Sequence, residues 1–245
     1  MRYNTQYRSY NSSSYLPTGL KWLLISNVVI FLLYYVGGRA VQEPMKTFFA
    51  LTPTMVLDHF MIWQLATYMF LHGNIEHILF NMLALWMCGS ILEADWGTRR
   101  FLKYYFVCGI GAGICDLTVN RLVGNVDIPT LGASGAIFGL LLAFGVLYPN
   151  MTVLFFFVFP MKAKYMVMIY GAIAFLGALN VNSGVSNVAH LGGMAVGYAY
   201  LRMRFFKVDL GYFSREYNAW KLRRAKKRFQ VYLRKHGSDR DTFVN

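Results

Sequence analysis

Between Leu20 and Phe206 the chain returns repeatedly to predominantly apolar stretches of bilayer-crossing length. Crossing takes roughly 17–25 residues. Six such stretches are read: Leu20–Val36, Ile75–Ile91, Phe101–Val123, Leu131–Tyr148, Tyr165–Val181 and Ser186–Phe206. A soluble domain of 245 residues does not carry 56% hydrophobic and only 14% charged side chains. The expected fold is therefore an all-α membrane protein, a six-transmembrane-helix bundle over residues 20–206. A polar N-terminus (1–19) precedes it and a basic tail (207–245) follows. The first apolar run follows a polar segment and lacks an Ala-x-Ala cleavage pattern, so it reads as a retained helix.

The segment from Gly37 to about His72 resists a seventh crossing. A helix over Met55–Leu71 would place Asp58, His59 and Gln64 in lipid, where an ionisable group costs roughly 2.5–3.5 kcal/mol on insertion scales. It reads as a long interfacial first loop, with Trp63 and Tyr68 as aromatic anchors. Met151–Phe159 is apolar but too short to cross, and reads as a surface segment. Glu93 to Arg100 reads as a polar turn.

Lys and Arg set the orientation. Arg2, Arg8, Arg99, Arg100, Lys103, Lys162, Lys164 and the tail fall on one side. Only Arg39, Lys46 and Arg121 fall on the other. The first side is cytoplasmic, with both termini there. From Leu201 onward there are thirteen Lys or Arg against four Asp or Glu. Such a tail sits on an anionic leaflet, and Trp220–Leu233 reads as an amphipathic surface helix. No nucleic-acid fold motif accompanies the charge, which argues against a nucleic-acid partner. Cys88, Cys108 and Cys115 lie in apolar stretches and read as small buried hydrophobes.

The second, fourth and sixth stretches then all start at the non-cytoplasmic face. Their first turns carry His77 and Asn81, then Ser134, then His190. Polar groups in spans face the bundle interior or a water-filled cavity, so a solvent-fed site is expected at this depth. Ser134 is flanked by Gly132 and Gly135, which leave room for a substrate backbone. It also sits near a helix start, where unpaired N–H groups can bind an oxyanion. Read alone, that run fits a small-residue packing face equally well. His190, Gly193 and Gly197 share one helix face, and Gly193 and Gly197 form a Gly-x-x-x-Gly pair that allows close helix approach. If the fourth span is the neighbour, His190 reaches Ser134. His77 and Asn81 also share a face, and both can donate hydrogen bonds. A metal held by His72 and His77 is the rival, but their spacing separates them on a helix and no acidic or Cys partner completes the shell. No third triad member is evident. Asp116 lies towards the outer end of the third span, and an orienting role for it stays open.

At these residues the chain resembles the rhomboid family of intramembrane serine proteases. The resemblance rests on His72-Gly-x3-His77-x3-Asn81, Gly132-x-Ser134-Gly135-x3-Gly139 and Ala189-His190-x2-Gly193-x3-Gly197. Glu93, Gly97 and Arg99-Arg100-Phe101 match the family's turn after the second span. The resemblance implies a six-helix fold with Ser134 as nucleophile and His190 as base. It also implies an oxyanion hole of His77, Asn81 and the Ser134 N–H, with Phe138 stacked on the histidine. His72 would be structural, tying the first loop to the second helix. No cofactor or metal is implied. The family's Trp-Arg pair in the first loop reads Trp63-Gln64 here. The implied activity is serine endopeptidase action on transmembrane proteins with a helix-breaking segment near the outer face. Val181–Val188 and the fifth span would form the mobile entrance. The architecture suggests a bacterial inner membrane. A non-catalytic client-binding relative would lack the serine or the histidine, and a transporter would need polar groups reaching the other face.

Overall fold

The structure, a computed structural model, describes residues 16–155, 158–179 and 186–205, and the helical positions 221 and 224. Three expectations fall wholly or largely outside the described residues: the loose N-terminus, the loop after the fifth span, and the surface helix in the tail. The chain divides into two compact units, Met1–Tyr200 and Leu201–Asn245. The residues expected to form the site, His72 to Gly197, all lie in the first unit.

Nine helices are described: α1 (Thr18–Val36), α2 (Gly38–Phe49), α3 (Pro53–Leu57), α4 (Gln64–Thr67), α5 (Ile75–Trp96), α6 (Thr98–Val123), α7 (Ser134–Leu147), α8 (Ala163–Ala178) and α9 (Asn187–Phe205), whose last turn lies in the second unit. Among the described residues α1, α5 and α6 are long and apolar enough to cross a membrane, whereas α7 and α8 are shorter apolar helices. Polarity is inverted relative to a soluble protein. Trp22, Leu33 and Val36 on α1 and Met168, Phe175 and Leu176 on α8 point outward, while Asn27, Gln64, Asn81, Glu93 and Asp116 are buried. An outer surface of this kind is solvated by lipid.

The interior is ordered around α6, which packs along α7 and also contacts α5 and α1. Tyr104 of α6 is fully buried and donates its hydroxyl to the Gly139 carbonyl of α7 at 2.9 Å. Glu93, expected in a polar turn, is instead buried in the last turns of α5, which continues to Trp96. Its carboxylate accepts the Gly19 and Leu20 N–H groups at 2.8 and 2.7 Å and the Thr98 hydroxyl at 2.6 Å. It thereby caps the N-terminus of α1, where an anion is favoured. Glu93→Ala strands two buried N–H groups. It should lower unfolding free energy by about 3 kcal/mol, read as a fall in Tm against wild type in one detergent. An unchanged Tm would show the cap to be dispensable.

Four features differ from the sequence reading. First, residues 37–74 are not a plain loop. They fold as α2, α3, α4 and a 3-10 turn at Tyr68–Phe70, none of spanning length. Asp58 and His59 are exposed. The segment is fixed by caps on α2: the carbonyls of Thr47, Phe48 and Phe49 accept from Gln64 Nε2, Trp63 Nε1 and Thr67 Oγ1 at 2.8, 2.7 and 2.9 Å. Last-turn carbonyls have no partner within their own helix. Gln64 Oε1 also accepts the Thr52 N–H at 3.1 Å. Second, Tyr68 is not a surface anchor. It is 1% exposed and donates to the Gly109 carbonyl at 2.7 Å. Third, the fold is not wholly α, because Thr152–Phe155 (β1) pairs antiparallel with Phe159–Lys162 (β2). Aromatic and β-branched residues in a run too short to cross favour a hairpin. Fourth, α6 begins at Thr98 and α7 only at Ser134.

Candidate active site

The late start of α7 follows from Gly132, whose φ of +121° is available to glycine and strained for other residues. This kink makes Ser134 the first helical residue of α7, with Ala133 as N-cap. The Ser134 N–H is one of the first-turn donors without an intrahelical partner. The approach to the kink is held on both sides. Thr130 and Leu51 exchange backbone hydrogen bonds of 2.8 and 2.9 Å, and the Gly132 N–H donates to the Tyr68 carbonyl at 2.9 Å. Residues of the 37–74 segment, Leu51 and Tyr68, thus hold the approach to Ser134.

α9 delivers the histidine. A Cβ on Gly193 would lie 1.9 Å from the Gly135 carbonyl oxygen, so α7 and α9 touch backbone to backbone. One on Gly197 would meet the Tyr104 hydroxyl at 2.5 Å and Gly139 Cα at 3.3 Å. This is the close crossing that small residues permit. Near its N-terminal end His190 Nε2 lies 2.8 Å from Ser134 Oγ. The Phe138 ring, one turn below Ser134, stacks on the imidazole with centroids 4.1 Å apart and planes within 3°. The stack fixes ring orientation as well as position. Tyr170 of α8 meets Phe138 edge-on at 6.1 Å.

α5 supplies the third wall. The Asn74 side chain caps it by accepting the His77 N–H at 2.7 Å. His77 Nε2 and Asn81 Nδ2 lie 2.6 and 3.6 Å from where a Cβ of residue 132 would stand. Both therefore face the kink beside Ser134. Asn81 Nδ2 is buried and makes no hydrogen bond among the described residues. A buried amide donor left unpaired costs free energy, and it is repaid when an acceptor arrives. His72 stands edge-on to His77 with centroids 5.0 Å apart. Burial first, and the neighbouring His77 second, push its pKa down to about 3.

A cleft of about 180 Å³ opens between α5, α7 and α8, lined by Phe80, Asn81, Ile137, Phe138, Met166 and Tyr170 among others. It reaches two residues of the site, Asn81 and Phe138. The structure thus brings Ser134, His190, Phe138, His77, Asn81 and Gly132 together. Gly193 and Gly197 lie below them in the helix crossing, and His72 sits behind His77. Among the described residues no hydrogen bond joins Asp116 to His190, so it is not placed as a third triad member. Its carboxylate is held by Thr130 and Ser186. The sequence reading missed this tie and the Glu93 cap. Each joins a side chain to a partner far along the chain, although Thr130 and Ser186 both stand four residues ahead of a site residue.

A helical, outwardly apolar chain that sets serine against histidine at the mouth of three helices defines a narrow class. The family model for the Rhomboid domain matches residues 59–206. The chain belongs to the rhomboid family, a family of integral membrane proteins. Among curated relatives, RHOMBOID-like protein 1 of Arabidopsis thaliana is 32% identical over 170 residues, 69% of this chain and 41% of its own length. Rhomboid protease GluP of Bacillus subtilis is 31% identical over 182 residues, 74% of this chain and 34% of its own. Rhomboid protease AarA of Providencia stuartii is 33% identical over 156 residues, 55% of this chain and 53% of its own. This chain spans well under two thirds of the length of these relatives.

Proposed function

We propose that the chain is an intramembrane serine endopeptidase that cuts transmembrane proteins near the outer face through a Ser134–His190 dyad. The observation that carries the reading is the 2.8 Å approach of His190 Nε2 to Ser134 Oγ. Two of the similar proteins are named rhomboid proteases.

Neutral His190 accepts the Ser134 proton at Nε2 as Oγ attacks the scissile carbonyl carbon. The carbonyl oxygen becomes an oxyanion held by the Ser134 N–H, His77 and Asn81. The intermediate collapses, the C–N bond breaks, and His190 returns the proton to the leaving amine. Water then attacks the acyl-serine with His190 again as base, releasing the new carboxylate and restoring Ser134. No cofactor is required.

In this reading α1, α5, α6, α7, α8 and α9 are the six crossings, with both termini cytoplasmic and residues 37–74 at the outer interface. The bilayer is that of a bacterial inner membrane. α7 has 14 residues and is about 21 Å long. The hydrocarbon core is about 30 Å thick. A helix this short that reaches the inner face leaves Ser134 below the outer surface, open to water from above. Residues 1–19 and 207–245 flank the membrane domain on the cytoplasmic side.

The substrate enters sideways between α5 and α8, where the apolar cleft lies. A peptide bond in an intact helix is shielded, so a Gly- or Pro-containing segment unwinds to reach the serine more readily. A cysteine crosslink pinning α8 to α5 across the cleft should abolish cleavage of membrane substrates, with activity restored on reduction. Undiminished cleavage by the crosslinked protein would reject this route. The reading as a whole is tested by cleavage of a generic single-pass reporter by purified protein in liposomes. A single cut in the outer half of the reporter helix supports it, and an intact reporter overturns it.

A further inference from the structure

Asp116 stands in the last third of α6 and is 2% exposed. Taking a carboxylate out of water is expensive unless it is hydrogen-bonded. An aliphatic side chain of similar size fills a helix interface at lower cost. Helix packing alone therefore gives no reason for an acid here, and its partners supply one.

One carboxylate oxygen accepts the Thr130 hydroxyl at 2.7 Å. The other accepts the hydroxyl of Ser186. The direction of the second bond is settled by a third. Ser186 Oγ accepts the Ala189 N–H at 3.2 Å as the cap of α9, leaving its one proton for Asp116. The carboxylate also lies where the positive end of the α9 dipole favours an anion. Thr130 precedes Ser134 by four residues, and Ser186 precedes His190 by four. One side chain of α6 thus grips both chain segments that carry the dyad, four residues ahead of each member. The Thr130 backbone is meanwhile committed to Leu51, and the His190 N–H donates to the Ser186 carbonyl at 3.3 Å.

We infer that Asp116 is a positioning residue, tying the Ser134 segment to the His190 segment through Thr130 and Ser186. This keeps the hydroxyl and the imidazole at hydrogen-bonding distance. The inference rests on the dyad proposed above. Asp116 acts through the two hydroxyls and not by orienting the imidazole as a third triad member.

The test uses the full chain in liposomes with the single-pass reporter. It reads kcat, KM, the rate of inactivation by a fluorophosphonate, and Tm. Asp116→Ala should lower kcat by about thirtyfold to a hundredfold, the scale of a misplaced reacting group. KM should stay within about twofold, and the inactivation rate should fall in parallel. Asp116→Asn keeps the volume and one acceptor oxygen, and should lose about fivefold. Adding Thr130→Val to Asp116→Ala should cost nothing further in kcat, because the Thr130 hydroxyl serves only the tie that is already cut. A folded Asp116→Ala protein with near-wild-type kcat overturns the inference. So does a fall in Tm alone, or a second full loss on adding Thr130→Val. Should Asp116→Ala fail to fold, Asp116→Asn and Thr130→Val decide by the same readouts. A wild-type protein inert to both reporter and fluorophosphonate would remove the dyad itself and this role with it. Active wild type beside unaffected Asp116 variants would remove the role alone.

Discussion

Replacing Ser134 with alanine should abolish cleavage of a transmembrane reporter while leaving the fold intact. The loss in kcat should be about a thousandfold or more, the scale seen when the nucleophile of a serine mechanism is removed. The side chain stands half-buried at the first position of α7 and its hydroxyl contacts His190. Its removal deletes little packed volume, so Tm should barely change. His190→Ala should lose as much activity, because the two act as one unit and their effects do not add. It also strips the ring from the face of Phe138, so a modest fall in Tm should accompany it. A Ser134→Ala protein that still cuts at the same bond would contradict the assignment.

The second large effect is expected at Asn81. Its buried Nδ2 has no hydrogen-bond partner among the described residues and faces the kink at Gly132. Asn81→Ala should lower kcat by about a hundredfold to a thousandfold, or roughly 2.7–4 kcal/mol of transition-state stabilisation. KM should hardly move, because the donor is engaged fully only when charge develops on oxygen. The same substitution removes an unpaired buried donor from the ground state, so stability should hold or rise slightly. His77→Ala should act in the same direction. A change in KM with kcat unmoved would place Asn81 in ground-state binding instead.

The sequence made α1, α5 and α6 legible because lipid-facing helices announce themselves by length and apolarity. The residues of the candidate site could be picked out because they lie on short local patterns. His77 and Asn81 share a face, Gly193 and Gly197 prepare a close crossing, and Gly132 sits where the backbone kinks. Gly193 against the Gly135 carbonyl is what turns a pattern on α9 into proximity to Ser134. The fold of residues 37–74 was not legible, because it depends on side chains that cap a helix about 17 residues away. Gln64 donating to the Thr47 carbonyl is the clearest case. No period in the sequence records such a bond. Tyr68 was misread for a related reason: an aromatic residue near an interface has the same composition signature whether its hydroxyl faces headgroups or the Gly109 carbonyl. The β1–β2 hairpin was hidden because a short apolar run fits a strand, a surface segment or a helix piece equally well.

The direct chemical test is to treat the purified wild-type protein with a fluorophosphonate and locate the adduct by mass spectrometry. The account predicts one adduct, on Ser134, and its loss in His190→Ala as well as in Ser134→Ala. Labelling at another residue, or wild-type labelling of Ser134 that persists undiminished without His190, would contradict it.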